Sequence, residues 1–162
     1  VAGYGSDGAF ATYLTDNGLT LPVGAPTAAV LRQRGSDYID RAYGARFSGV
    51  PTLGYAQERA WGRTGATAYW ADIPEGVIPD AVVWASYAAA YAEAVLGAAT
   101  PAGSLSVTVI PGEAVKRAKA GPAEVEFFGG ADALSGAIPV LSAVDGLLSP
   151  FFWVRSPAVM VV

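Results

Sequence analysis

The sequence predicts a mainly α fold: a small helical bundle around one long Ala-rich helix, with a small β-hairpin unit and an extended C-terminal arm. Three stretches predict it. Ile78 to Leu96 (IPDAVVWASYAAAYAEAVL) carries charge only at Asp80 and Glu93 and is apolar nearly all round, so the helix it forms must be covered nearly all round. Between Ser104 and Phe128, β-branched and apolar residues alternate with polar ones around Pro-Gly and Gly-Pro turns, the period-two pattern of short strands. Pro150 to Val162 is far more apolar than chain ends usually are. Residues 1–149 are therefore expected to form a helical domain with a hairpin unit at about 104–128. Residues 150–162 form an apolar C-terminal arm, which either docks in its own core or inserts into a partner.

Taken in order, Val1 to Gly5 reads as a loose or extended lead. Ser6 or Asp7 caps a short helix whose apolar positions are Phe10, Tyr13 and Leu14, and Asn17-Gly18 stops it. Leu19 to Pro26 is a connector. Thr27 to Tyr43 is a second helix with Val30, Leu31, Tyr38, Ile39 and Ala42 on one stripe; Gly35 in its middle marks a close helix–helix approach, and Gly44 closes it. Ala45 to Gly76 is irregular, with a short helix expected near Ala56–Trp61 and a long loop packed down through Phe47, Trp61 and Trp70. Pro79 opens the central helix beside Asp80, Gly97 offers a stop and Pro101 prevents resumption. Along that helix Trp84, Tyr87 and Tyr91 make an aromatic stripe, opposite a face of Val82, Ser86, Ala89, Glu93 and Leu96. Strands are expected at Ser104–Ile110, Ala114–Ala118 and Ala123–Phe128, then a last helix within Ile138–Leu148.

Apolar residues make up 52% of the 162 and charged residues 15%, less charge than covers an ordinary monomer. Alanine on the surface explains this shortage, or surface buried between copies does. Net charge is −4 and the sequence pI about 4.6, which argues against a protein that grips phosphate backbones. With no Cys and no His, the chain lacks thiolate ligands and the commonest general base. No uninterrupted apolar run reaches membrane-spanning length, and the opening VAGYGSDG has no secretory pattern. No nucleotide-binding, serine-hydrolase or zinc-protease motif is present, so no enzyme activity, catalytic residue, cofactor or metal is expected. A hydrolase working with paired carboxylates is the remote alternative.

Lys116, Arg117 and Lys119 are the densest basic cluster, either a contact surface or a solvated strand edge. Arg59 and Arg63 flank Trp61, a weak nucleic-acid signal that equally describes a buried Trp with arginines lying across it. Glu124 and Glu126 share one strand face, too few ligands for calcium.

Several segments in order resemble one family: Tyr13; Gly35 to Asp40 with Tyr43; Phe47-Ser48-Gly49; Gln57 to Arg63; Ile78-Pro79 before the Ala-rich helix; Val115-Lys116-Arg117; Gly121 to Phe127; and Pro139 to Leu148. Together they resemble the head–tail adaptor (head completion, connector) proteins of tailed bacteriophages, many of which carry a DnaT-like single-strand-binding label. The match spans about Phe10 to Leu148, and Trp61-Gly62-Arg63 stands where relatives usually have Trp-Pro-Arg. The resemblance implies a structural virion protein at the neck, assembled in the host cytoplasm: a homo-oligomeric ring, usually a dodecamer, docked under the portal protein. Such a ring extends the DNA channel and offers a platform to stopper or tail proteins. Packaged DNA passes through its lumen without specific binding, and no membrane is involved. Phe151, Phe152 and Trp153, with Lys116, Arg117 and Lys119, are the expected partner contacts. The alternative is a DnaT-like single-stranded-DNA-binding module that uses Trp61, Arg59 and Arg63 and has a steep salt dependence.

Overall fold

The computed structural model describes residues 2–99, 117–120, 123–126 and 140–153. The fold is mainly α, as expected. Helices α1 (Asp7–Asp16), α2 (Ala28–Tyr43), α3 (Asp80–Ala99) and α4 (Ser142–Leu148) carry it. Between α2 and α3 lie two very short antiparallel hairpins, β1 (Val50–Pro51) with β2 (Arg63–Thr64) and β3 (Thr67–Ala68) with β4 (Ala71–Asp72). A three-stranded sheet follows in the order β5 (Arg117–Ala120), β6 (Ala123–Glu126), β7 (Val140–Leu141). Its β5–β6 hairpin pairs Arg117 with Glu126 and Ala120 with Ala123, matching the two strands expected around Gly121-Pro122. The expected strand at 104–110 lies outside the described residues.

Local chemistry explains the helix ends. The Ser6 hydroxyl accepts from the Ala9 N–H and caps α1, whose far end carries Asn17 and the positive-φ Gly18. Helix α3 begins one residue after Pro79, whose carbonyl accepts from Val82 and Val83, and it runs through Gly97 to Ala99. A glycine inside a helix lowers its stability without ending it.

Helix α3 is shared by two apolar clusters. On one side Tyr87, Ala90 and Ala94 meet Phe10, Leu14 and Leu31. On the other, Val82, Ala85, Ala89 and Ala92 meet Tyr38, Ile39, Tyr43, Phe47, Trp61, Val144, Leu148 and Phe151. Small α3 side chains admit α2 closely: an added Cβ at Gly35 would stand 2.2 Å from the Ser86 carbonyl oxygen. Among the described residues the cover is incomplete, however. Trp84 remains 49% exposed, and the helix is open on that face.

The N-terminal lead is anchored, not loose. Tyr4 is buried, its N–H donates to the Ser36 Oγ, and its hydroxyl donates to Asp40. Arg32 of α2 donates to the carbonyls of Gly3, Tyr4 and Gly5 and pairs with Asp7 at 2.6 Å. Burial, then the Asp40 charge, pushes the Tyr4 phenol well above its ordinary 10.0; burial, then Tyr43, does the same to Tyr38. In the unfolded chain both phenols ionise near 10, whereas the fold keeps them protonated. Their contribution is therefore complete below about pH 10 and is lost as pH rises past it, by about 1.4 kcal/mol per pH unit for each phenol. Denaturant melts between about pH 9 and 11 should show this decline, and Tyr38→Phe should reduce its slope.

Candidate nucleic-acid interface

The segment from Ala45 to Val77 is wired from within. In place of the helix expected near Ala56–Trp61 there is one 3-10 turn at Gly54–Ala56, after which side chains hold the backbone. Gln57 donates from its amide nitrogen to the carbonyls of Arg59 and Gly62 and accepts from the Leu53 N–H. Arg59 pairs with Asp37 and Asp40, and its guanidinium lies over the Tyr4 ring. Burial works to lower the Arg59 pKa, but its hydrogen bonds to the Asp37 and Asp40 carboxylates, with their charges, outweigh it and raise it. Arg63 is 5% exposed and bonds no carboxylate; its guanidinium donates to the carbonyls of Phe47, Ser48, Gly49 and Ala60. Burial lowers its pKa, partly offset by Tyr4. Trp61 is 3% exposed, against Phe47 and edge-on to Phe151. Trp61 and Arg63 are thus buried structural residues, and the Arg59 guanidinium, mostly covered, is committed to Asp37 and Asp40.

The predicted contact residues divide similarly. Phe151 is buried, and its carbonyl accepts from the Ser48 N–H. Phe152 stacks on Tyr43 under the Arg46 guanidinium and bridges to Phe47. Trp153 donates its N–H to the Arg46 carbonyl while its side chain is 59% exposed. The first residues of the expected arm therefore dock on their own body, and those beyond Trp153 lie outside the described residues. Arg117 and Lys119 occupy β5, and Lys116 lies outside the described residues.

Trp70, expected to pack inward, faces outward. Residues Tyr69 and Trp70 form the two-residue loop of the β3–β4 hairpin, between the paired Ala68 and Ala71. They are 78% and 94% exposed. Both have positive φ, 51° and 66°. Two-residue hairpin loops of this kind favour Asn-Gly because side chains strain there; two aromatics in such a conformation cost about 1–3 kcal/mol each. The hairpin's foot is fixed. The Ser48 hydroxyl donates to the Thr67 carbonyl and accepts from the Thr67 N–H, Ile73 donates to the Ala66 carbonyl, and Ala66 is fully buried. No residue type marks this turn in the sequence, because neither Tyr nor Trp is a turn former.

Among the described residues no group of His, Cys, Asp and Glu could hold a metal ion, and no helix is long and apolar enough to cross a membrane. Of the six cations whose side chains are described, most are engaged as well. Arg32, Arg34, Arg46 and Arg59 are in ion pairs and Arg63 is enclosed by carbonyls, which leaves Arg41 exposed without a partner on α2.

No curated protein and no solved structure matches this chain. One family model does, over residues 3–162, and its description is "Putative DnaT-like ssDNA binding protein". This corrects the assignment to head–tail adaptors, and with it the connector and portal-docking roles. The physical reason lies in the motifs that carried it. Gly35, Tyr38, Ile39, Arg59, Trp61 and Arg63 are packing and loop-holding residues, which record a scaffold and say nothing of what the scaffold touches. The chain belongs to this DnaT-like family.

Proposed function

We propose that this protein binds single-stranded DNA, by contact alone and without chemistry on the strand. The observation that carries the reading is the family match, which runs from residue 3 to residue 162. The exposed aromatic side chains of the loop region support it, because base–aromatic stacking serves strands of any sequence.

The mode of binding follows from the charges. The net charge of −4 disfavours a basic groove, and among the described residues Arg32, Arg34, Arg46, Arg59 and Arg63 already bond to protein groups. Each phosphate neutralised on a single strand contributes about −0.7 to the slope of log K against log salt. A stacking-dominated binder of this composition should have a slope shallower than about −2, in place of the steep dependence expected of a basic groove. Fluorescence anisotropy of labelled oligo-dT and of a matched duplex, across a salt series, tests this. The expected result is micromolar binding of the single strand, weak binding of the duplex, and the shallow slope. Absence of single-strand binding at low salt would overturn the proposal, as would duplex binding of equal strength with a steep slope.

A further inference from the structure

We infer that the Tyr69–Trp70 hairpin tip is the stacking element, taking one or two unpaired bases of a single strand against its rings. The inference rests on the single-strand reading and adds to it a location and a mode. Three observations on the tip point the same way. The aromatics sit at the two loop positions where backbone conformation most favours Asn and Gly, so local folding does not explain them. Their side chains are almost fully in water, so packing does not explain them. The hairpin beneath is tied to a buried residue, Ala66, and to Ser48, itself bonded to Phe151, so the rings are presented on a fixed mount. Rigid two-rotor aromatics on such a mount lose little freedom on contact.

The ligand's class follows from the surroundings. Asp72 is paired with Thr67 at the base of the tip and is exposed, and Glu75 accepts from the Thr64 hydroxyl nearby in sequence. Carboxylates there disfavour a phosphate contact and leave flat apolar faces as the attractive feature. Bases in a duplex already stack on one another; unpaired bases have open faces. An apolar pocket in a protein partner would also accept a tryptophan, but nothing in the family description points to one, whereas single strands are what that description names.

The test uses the full chain, an oligo-dT strand and three variants. Tyr69→Asn/Trp70→Gly installs the residues the loop conformation favours. It should raise the thermal midpoint and weaken oligo-dT binding on the order of 30-fold or more, since each stacked base carries roughly a 5- to 150-fold effect. Trp70→Phe keeps a ring and should stay within about 5-fold of the parent. Tyr55→Ala removes a different fully exposed aromatic and should change nothing. Parent protein that binds oligo-dT while Tyr69→Asn/Trp70→Gly binds equally well would overturn this assignment and leave the single-strand reading intact. Parent protein that does not bind oligo-dT would overturn both. A lowered midpoint in Tyr69→Asn/Trp70→Gly would show that the pair serves the fold, and would overturn the assignment. So would loss of a self-associated species with oligo-dT affinity unchanged, which would give the tip to a second copy of the chain.

Discussion

Replacing Arg63 with methionine should cost about 3–5 kcal/mol of folding stability, the largest effect of any single substitution considered. Methionine keeps most of the apolar stem and removes the donors. Four carbonyls then lose their partner: Ser48 at 2.8 Å, Gly49 at 2.8 Å, Ala60 at 2.9 Å and Phe47 at 3.3 Å. Each buried acceptor left unpaired costs about 1–3 kcal/mol, less where water can reach it. The guanidinium also ties the chain just after α2 to β2, closing the loop region onto Phe47 and Trp61. Lysine should recover only part of the loss, because a single ammonium cannot reproduce the planar fork. Urea denaturation gives the value directly. A loss below about 1 kcal/mol for Arg63→Met would mean that those carbonyls find other partners.

Gly35→Ala should be nearly as damaging, although alanine is the better helix former by about 1 kcal/mol. The new methyl would lie 2.2 Å from the Ser86 carbonyl oxygen and 2.7 Å from the Ala90 nitrogen. Both are backbone atoms of α3 and cannot step aside as a side chain does. The helices have to separate, loosening both apolar clusters that share α3. The net loss should be about 3 kcal/mol, the upper range for overpacking. For a chain of this size that lowers the melting midpoint by about 6–12 °C. Thermal melts followed by circular dichroism measure it, and an unchanged or raised midpoint would show that α2 and α3 are not in backbone contact at Gly35.

How far the sequence could be read varied with the range of the forces involved. Helix α2 was legible from its apolar stripe, α3 from its long Ala-rich apolar run and the short α1 from the spacing of Phe10, Tyr13 and Leu14; Ser6 as a cap and Gly35 as a close approach were legible for local reasons too. The anchoring of Tyr4 was not, because it comes from Arg32, Ser36 and Asp40, which lie far along the chain. The hairpins between α2 and α3 have strands of two residues, too short for any periodicity to register. At the site, Trp61 was correctly placed inside by its hydrophobicity, and the same reasoning failed for Trp70. A turn decides that orientation, and neither Tyr69 nor Trp70 is a residue type that announces a turn. The arginines beside Trp61 offered two readings from sequence, and only their carboxylate and carbonyl partners distinguish them.

A DNA strand that binds this protein should meet it at the Tyr69–Trp70 tip. Photocrosslinking of the full chain to a single strand carrying 5-bromodeoxyuridine, followed by mass spectrometry of the joined peptide, tests it most directly. Attachment is expected at Trp70 or Tyr69, suppressed by unlabelled oligo-dT. Attachment confined to the basic run at Lys116, Arg117 and Lys119, or to Trp153, would contradict it.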